Sequence, residues 1–276
     1  MQKKKITIHQ LKARKPDGEK ICAVTAYDYT SARLVDQAGV DLILVGDSVA
    51  NTMMGLDSTV PVTLSQMIYH GKIVMRAEPR ALVAIDMPFG SVNDGAERAI
   101  NRAVKVFKRT GADAVKIEGG KSTAPVVRAV VDAGIPVVGH VGLMPQYRSM
   151  LGGLKVQGKE LDAARQIIED AQEIAAAGVF SIVLEAVPMR LAELITSRID
   201  VPTIGIGAGA GCDGQILVLH DILGLSNRTP KFAGRWADLG QETVRAVSAY
   251  REAVRSGSFP TEEHSFKMDK TILEKL

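Results

Sequence analysis

The stretch Leu42-Ile43-Leu44-Val45-Gly46-Asp47-Ser48 decides the fold, because an unbroken apolar run leads directly into two polar side chains. A β-strand that is buried on both faces has such a run, so the stretch predicts a parallel strand followed by a functional loop. The pattern recurs along the chain, with other chemically capable residues at the ends of the runs. Those residues are Asp86, Lys116, Glu118, His140 and Glu185.

Polar residues at the carboxyl ends of successive parallel strands are typical of a (β/α)8 barrel, which builds its active site there. Amphipathic segments alternate with the apolar runs, so the sequence predicts an α/β fold, a (βα)8 TIM barrel. The predicted strands are residues 21–27, 41–47, 81–86, 114–118, 136–141, 181–185, 203–207 and 216–219. The predicted helices are residues 31–39, 64–77, 94–109, 124–133, 161–177, 191–198 and 241–256, the last of which would close the ring.

The length of the chain agrees with one barrel. Its 276 residues fit the roughly 250 residues of such a domain, and an apolar content of 46% supplies a large core. No linker of changed composition divides the chain. We therefore expect one domain over residues 1–276, with an N-terminal extension before residue 21 and a C-terminal tail after Ser256.

The composition excludes several classes of protein. The net charge of +3 is small, and aromatic residues, at 4%, offer few platforms for stacking nucleic-acid bases. No apolar stretch approaches the ~20 residues that cross a bilayer, and the basic start of the chain lacks the apolar core of a secretory signal. Cys22 and Cys212 fit neither a disulfide framework nor a zinc motif. We expect a cytoplasmic protein without a nucleic-acid or membrane partner.

Three of the strand-end acids, Asp47, Asp86 and Glu118, lie on neighbouring predicted strands. Carboxylate oxygens without a cysteine ligand favour a hard cation, and Mg²⁺ takes few protein carboxylates while keeping positions for water and substrate. Each acid alone could equally cap a turn or begin a loop. Their shared position favours a Mg²⁺ site.

Lys116 and Glu118 are two residues apart in one strand, so their side chains point to the same side. A site for a metal and an anion inside the barrel would give both charges partners. Lys116 would then neutralise a carboxylate or enolate oxygen of the substrate. A structural salt bridge with an aspartate is the alternative.

His140 and Glu185 follow two further strands. The glycines in Gly139-His140-Val141-Gly142 leave room for the ring, so His140 could hydrogen-bond a substrate or anchor a loop. Glu185 follows an apolar run, and burial favours the neutral form of a carboxyl, which suits a general base working near neutrality. A buried structural glutamate is the alternative.

The glycine-rich residues 205–211 fit neither a dinucleotide-binding loop nor a Walker A loop, because the required spacing and the following Lys-Ser/Thr are missing. We expect these glycines to let the backbone approach a ligand at the end of the seventh strand.

Several segments together resemble the ketopantoate hydroxymethyltransferase family, in order and at the expected spacing over nearly the whole chain. They are Thr25-Ala26-Tyr27-Asp28, residues 45–55, Thr63-Leu64, Asp86-Met87-Pro88-Phe89-Gly90, Lys116-Ile117-Glu118-Gly119, residues 139–146, Leu184-Glu185 and Cys212-Asp213-Gly214-Gln215. The resemblance implies a barrel of the phosphoenolpyruvate/pyruvate superfamily type that binds Mg²⁺. It also implies a homo-oligomer, often a homodecamer made as a dimer of pentamers.

The implied reaction moves a hydroxymethyl group from 5,10-methylenetetrahydrofolate to 3-methyl-2-oxobutanoate. The products are 2-dehydropantoate (ketopantoate) and tetrahydrofolate, and the reaction is the first step of pantothenate biosynthesis. In this sequence, the residues that match the metal ligands are Asp47, Asp86 and Glu118, and Glu185 matches the proton acceptor. The residues that match the keto-acid site are Asp47, Ser48, Asp86, Lys116 and His140.

Two alternatives belong to other classes. A Mg²⁺-dependent carbon–carbon lyase or phosphonate mutase acting on a 2-oxo acid would share the metal acids, but the Lys-Lys-Cys-Gly-His loop of such lyases is missing from the sequence. A non-catalytic barrel would not need the full set of acids. The residues alone reach Mg²⁺-dependent enolate chemistry on a 2-oxo acid, and the folate co-substrate comes from the resemblance.

Overall fold

The computed structural model describes residues 4–226 and 229–276. Within them, eight parallel strands form a closed barrel in which each strand pairs with the next along the chain and β8 pairs with β1. This confirms the predicted (βα)8 barrel. The strands are β1 Ile21–Thr25, β2 Leu42–Val45, β3 Leu82–Asp86, β4 Ala114–Glu118, β5 Val137–Gly142, β6 Ser181–Glu185, β7 Thr203–Ile206 and β8 Gly214–Leu217.

The helices alternate with the strands, as the periodicity predicts. They are α1 Ile8–Asp17, α2 Tyr29–Gln37, α3 Val49–Thr52, α4 Leu64–Met75, α5 Ala96–Thr110, α6 Ala124–Asp132, α7 Leu161–Ala176, α8 Met189–Arg198, α9 Leu219–Ile222, α10 Leu239–Arg255 and α11 Lys270–Leu273. Short 3₁₀ helices span Lys121–Thr123, Pro145–Tyr147 and Glu262–His264. No helix of the described chain is long and apolar enough to cross a membrane.

The last strand begins two residues before its predicted start. Gly214 pairs with Ile21 of β1, and a Cβ at Gly214 would lie 2.5 Å from the Ile21 carbonyl oxygen. The closure of the barrel therefore needs a glycine at this position, which lacks the apolar side chain by which the sequence pattern identifies strands.

The predicted N-terminal extension contains a helix that the sequence analysis missed. Thr7 and Gln10 form a reciprocal capping box at the start of α1, and Gly18 ends the helix in the left-handed conformation. Leu11 on this helix is fully buried, and it joins Ile6 and Phe180 in the same core cluster as the inward side chains of the strands. The core therefore extends beyond the ring of strands.

Three aspartates that directly precede strands connect this N-terminal segment to the barrel. Each carboxylate accepts a hydrogen bond from a backbone N–H of a neighbouring strand and also pairs with a cation of the segment. The ion pairs are Lys5–Asp113 at 2.8 Å, Arg14–Asp41 at 2.7 Å and Lys15–Asp213 at 2.8 Å. The backbone donors are Val83 for Asp113, Cys22 for Asp41 and Thr203 for Asp213.

The described residues divide into two compact units. The first comprises Met1–Leu219 and Pro230–Ala233 and contains the whole barrel, and the second comprises His220–Thr229 and Gly234–Leu276. The helix that the sequence predicts to close the ring is α10, which belongs to the second unit and has no buried residue. The expectation of a single domain stays a prediction.

Candidate active site

The strand register brings the predicted site residues together inside the first unit. Asp86 of β3 is paired with Lys116 of β4, and Glu118 of β4 is paired with His140 of β5. Glu185 ends β6 in register with the end of β5. All of these side chains except that of Glu185 are almost completely buried.

Lys116 is the central cation of this cluster. Its Nζ lies 2.5 Å from Asp86 Oδ1 and 3.6 Å from Glu118 Oε1. Burial alone would lower the pKa of Lys116, but the carboxylates of Asp86, Glu118 and Asp47 outweigh it and raise the pKa above its usual range. Lys116 therefore stays protonated, which suits both a structural ion pair and the binding of an anionic substrate.

Asp47 and Asp86 are held side by side. The Asp47 backbone N–H donates to Asp86 Oδ2 over 2.9 Å. Burial and the charges of Asp86 and Glu118 raise the pKa of Asp47 to about 8, and burial also raises the pKa of Asp86. The cluster therefore contains more carboxylate than Lys116 neutralises, and a cation bound there would relieve the excess.

His140 bridges the two glutamates. Its Nδ1 lies 3.4 Å from Glu118 Oε1, and its Nε2 lies 3.3 Å from Glu185 Oε2. Burial and Lys116 lower the pKa of His140, but Glu118 and Glu185 outweigh them and raise it to about 9. Burial raises the pKa of Glu118, but His140 and Lys116 have the larger, opposite effect. The pKa of Glu118 therefore lies below its usual value, and the carboxyl is ionised.

Glu185 is the most accessible side chain of the cluster, with 17% of its surface exposed. The sequence predicts an apolar environment from the run before it, but the structure places the carboxylate against the buried imidazole of His140, which is a charged neighbour. A base in this position can reach a substrate that enters from solvent.

Ser48 lies between Asp47 and α3. Its Oγ is hydrogen-bonded to the hydroxyl of Tyr27 at 2.8 Å. Burial raises the pKa of Tyr27, so the phenol keeps its proton and can donate to Ser48. This contact orients the serine hydroxyl.

The two glycines around His140 have a packing role, and the room that they leave for the ring stays a prediction. A Cβ at Gly139 would lie 2.5 Å from Ile174 Cγ2 of α7. Gly142 has φ +95°, and a Cβ there would lie 2.5 Å from the Glu185 carbonyl oxygen. Gly142 therefore lets β5 end directly against the predicted base.

The glycine-rich residues 205–211 also have a packing role. A Cβ at Gly209 would lie 2.5 Å from Met189 Cβ, and one at Gly211 would lie 2.9 Å from Glu193 Cβ. Both neighbours belong to α8. The structure thus explains these two glycines by the close approach of the loop to a helix, without a ligand.

Gln146 is a site residue to which the sequence analysis gave no role, although it lies in a segment that carries the resemblance. It is buried in the 3₁₀ helix after β5 and donates hydrogen bonds to Asp47 and Glu118. The available signal in the sequence is a polar residue shortly after a strand, but a glutamine does not titrate, so the pattern of acids and bases does not include it.

The chemistry of this donor set fits a hard cation. Asp47, Asp86 and Glu118 offer oxygen atoms only, and burial together with the neighbouring carboxylates raises the pKa of Asp47 to about 8. Within the described residues, no three His, Cys, Asp or Glu side chains are already gathered as a metal cage. Lys116 supplies the counter-charge between Asp86 and Glu118.

Comparison with known proteins identifies the family. The sequence model described as ketopantoate hydroxymethyltransferase matches residues 5–262. The chain belongs to this family. Two similar relatives are both named 3-methyl-2-oxobutanoate hydroxymethyltransferase. The relative from Moorella thermoacetica is 52% identical over 96% of this chain and 99% of its own length, and that from Heliobacterium modesticaldum is 53% identical over 96% and 97%.

Solved structures support the fold of this family member. A phosphonopyruvate hydrolase in complex with oxalate and Mg²⁺ superimposes with a TM-score of 0.61 at 13% identity, covering 97% of this chain and 93% of its own. A phosphoenolpyruvate phosphomutase from Streptomyces platensis subsp. rosaceus gives a TM-score of 0.60 at 15% identity, over 97% and 94%. At these identities the likeness concerns the barrel alone.

Proposed function

We propose that this chain transfers a hydroxymethyl group from 5,10-methylenetetrahydrofolate to 3-methyl-2-oxobutanoate, forming 2-dehydropantoate and tetrahydrofolate in the first step of pantothenate biosynthesis. Membership of the family and the names of the relatives support this reaction. The observation that carries it is the row of buried charges across β3 to β6, in which a lysine and a histidine alternate with carboxylates.

Asp47, Asp86 and Glu118 are the residues that would hold Mg²⁺ in this proposal, because they are the buried carboxylates around the excess negative charge. When bound, Mg²⁺ supplies Lewis-acid stabilisation of negative charge on the keto oxygen of the substrate. The carboxylates must be ionised for this, so metal affinity rises with pH toward the raised pKa of Asp47, about 8.

The 2-oxo acid is proposed to bind against Lys116, Ser48 and His140, besides Asp47 and Asp86. Lys116 is permanently charged and can neutralise the substrate carboxylate. Ser48 presents a hydroxyl that Tyr27 orients. Burial of these groups excludes water, so each charge–charge contact with the substrate is stronger than it would be in solution.

Glu185 is proposed to remove the proton from C3 of 3-methyl-2-oxobutanoate. Its Oε2 lies 3.3 Å from His140 Nε2, and the imidazole, which its raised pKa of about 9 keeps protonated at neutral pH, holds the carboxylate in place as a charged partner. The enolate carbon then attacks the one-carbon unit of the folate. The C3 electrons form the new carbon–carbon bond as the bond from the one-carbon unit to one folate nitrogen breaks. Water supplies the hydroxyl oxygen as the bond to the second folate nitrogen breaks, and tetrahydrofolate leaves with the proton from C3 on one nitrogen and a proton from that water on the other.

A lyase or phosphonate mutase is not favoured, because the relatives that match at about half identity carry the transferase name. We also propose that the chain works in the cytoplasm as a homo-oligomer, with a homodecamer made as a dimer of pentamers as the form implied by the family resemblance. The oligomer rests on that resemblance, and the cytoplasmic location rests on the composition of the sequence.

Two assays of the purified chain with Mg²⁺ test the reaction. In D₂O without folate, we expect 3-methyl-2-oxobutanoate to lose its C3 proton signal in proton NMR. With 5,10-methylenetetrahydrofolate added, we expect 2-dehydropantoate in amounts that match the folate consumed. If the proton exchanges but no product forms, enolate formation stands and the transfer is contradicted. If there is no exchange and no product, the whole proposal is contradicted.

A further inference from the structure

Gln146 connects the ends of three strands through its hydrogen-bond donors. Its side-chain Nε2 donates to Asp47 Oδ2 over 2.9 Å and to the Met87 carbonyl oxygen over 3.1 Å. Its backbone N–H donates to Glu118 Oε2 over 3.2 Å. Asp47 follows β2, Met87 follows β3 and Glu118 ends β4. One buried residue therefore touches the segments that carry all three proposed metal ligands.

The chemistry of the amide suits this place. Both neighbours of the side-chain nitrogen are acceptors, so the NH₂ group and not the carbonyl oxygen of Gln146 faces them. An amide donates without adding charge. A lysine at this position would neutralise Asp47 and compete with a cation, whereas the glutamine fixes the orientation of the carboxylate and leaves its charge in place.

The contacts also determine which oxygen atoms are available. Gln146 occupies Oδ2 of Asp47, and its backbone N–H occupies Oε2 of Glu118. The other oxygen of Glu118, Oε1, faces Lys116 and His140. These contacts hold each carboxylate in one rotational position. The hydrogen-bonding partners of metal-binding carboxylates generally have this effect.

We propose that Gln146 is a positioning residue for the metal site, orienting the Asp47 carboxylate through its side chain and the Glu118 carboxylate through its backbone. This inference rests on the proposed function, since it presumes a cation at these acids. The loss of such a hydrogen-bonding partner typically weakens metal binding by about 10–100-fold.

The decisive variant is Gln146→Met, which keeps the length and unbranched shape of the side chain and removes both N–H donors. The backbone N–H to Glu118 stays. We expect Mn²⁺, titrated into the substrate-free protein and followed by electron paramagnetic resonance, to bind about 10–100-fold more weakly than to the wild-type chain. A merely space-filling role predicts no change, because methionine fills the same space.

A matched control is Gln166→Met on the exposed surface of α7. Gln166 Nε2 donates to Asp170 Oδ1 over 3.1 Å, so this variant removes the same amide–carboxylate contact away from the site. Its Mn²⁺ affinity should equal that of the wild-type chain. A second variant, Gln146→Glu, keeps the length but sets a carboxylate against Asp47, and it should not restore Mn²⁺ binding to the wild-type level.

Turnover provides a second, independent readout. Lys116, His140 and Glu185 are unchanged in Gln146→Met, so saturating Mg²⁺ should return kcat to within about threefold of wild-type, while the Mg²⁺ concentration for half-maximal rate rises about 10–100-fold. A fall in kcat that no Mg²⁺ concentration restores would contradict a positioning role.

The outcomes separate this inference from the proposed function. If wild-type protein binds Mn²⁺ and Asp47→Asn does not, but Gln146→Met binds within twofold of wild-type, the role of Gln146 is refuted while the metal site stands. If the wild-type chain shows no Asp47-dependent Mn²⁺ binding, the proposed metal site itself is refuted. Circular dichroism shows whether each variant folds.

If Gln146→Met does not fold, the comparison is made with Gln146→Glu. Failure of both variants to fold would assign Gln146 a structural role and contradict the proposal.

Discussion

Glu185 holds the most accessible carboxylate of the cluster, and its function can be tested without folate. In Glu185→Gln the amide keeps the shape of the side chain but cannot take a proton. We expect the rate of C3–H exchange of 3-methyl-2-oxobutanoate in D₂O to fall by roughly 10²–10⁴-fold, which is the usual contribution of a positioned general base. Proton NMR in the presence of Mg²⁺ measures this rate directly.

The matched control for that experiment is Glu193→Gln. Glu193 is an exposed glutamate on α8 that pairs with Arg190 at 2.9 Å. The Glu193→Gln variant should catalyse C3–H exchange of the keto acid at the wild-type rate. Binding of the keto acid to Glu185→Gln should stay within a few-fold, because Lys116 is unchanged. Unreduced exchange in Glu185→Gln would assign the base to another residue, with His140 the first to test.

Asp47 makes the stability of the metal-free chain depend on pH. Its pKa is raised from 3.8 to about 8 by burial and by the neighbouring carboxylates. The folded state thus holds a proton that the unfolded state releases above its own, lower pKa. The contribution of the Asp47 carboxyl to the free energy of unfolding is fully present below about pH 4. It is lost as pH rises toward about 8, and above that pH no more is lost.

Asp47→Asn should remove this pH dependence, since an amide does not titrate. We expect the free energy of unfolding of the wild-type chain, in urea with EDTA, to fall relative to that of Asp47→Asn between about pH 5 and pH 8. Comparing the two proteins cancels the titration of groups away from Asp47, so the difference reports Asp47 together with the carboxyls that interact with it. Parallel curves would show that Asp47 ionises normally in the folded chain.

The identity of the charged residues could be predicted from the sequence, but their pairing could not. The placement of Asp86 and Glu118 at strand ends, and of Lys116 and His140 within the following strands, agrees with the apolar runs around them. That Lys116 faces Asp86, and that His140 joins Glu118 to Glu185, depends on the register between strands. Register comes from the tertiary structure, so the sequence left both salt-bridge and substrate roles open for Lys116.

At the scale of elements, the strands within the barrel were easier to predict than its two ends. β4 and β6 have the predicted bounds, since each is a short, mainly apolar run that ends at a glutamate, Glu118 or Glu185. α1 was missed because its sequence is mostly polar and only Leu11 is buried. α10 was predicted correctly as a helix, whereas its place in the ring stays a prediction, because a helical repeat indicates an apolar face without indicating what that face packs against.

The contribution of α1 can be measured with one substitution. Leu11 is fully buried, so Leu11→Ala should lower the free energy of unfolding by about 2–5 kcal/mol. Leu34→Ala on α2 is the control, because Leu34 is half exposed, and it should change stability by no more than about 0.5 kcal/mol. Urea unfolding measures both, and equal small effects would mean that α1 adds little to the stability of the core.

At the scale of the whole molecule, one face of α10 is apolar, and we expect it to contact another copy of the chain. Val244, Val247, Tyr250 and Val254 follow at helical spacing, and all four are exposed in the described chain. Exposed apolar surface of this kind is typical of an interaction site. It agrees with the homo-oligomer that the family resemblance implies.

We therefore expect the chain to sediment as an oligomer at micromolar concentration. Val247→Glu should shift the distribution toward smaller species, since it places a charge on the apolar face without disturbing a buried residue. Lys267→Glu changes an exposed charge elsewhere in the same unit and should leave the distribution unchanged. Sedimentation velocity measures all three proteins, and a wild-type monomer would contradict the expected assembly.

The ion pair between Lys15 and Asp213 has a consequence for how the chain reaches its folded form. The two residues are 198 positions apart, so α1 cannot make this contact until nearly the whole barrel has been synthesised. Contacts between such distant positions form slowly, because a long loop must close before they are gained. Arg14 and Asp41 are only 27 positions apart, so their ion pair can form early. The N-terminal segment would therefore be attached in steps, first to the aspartate that precedes β2 and last to the aspartate that precedes β8.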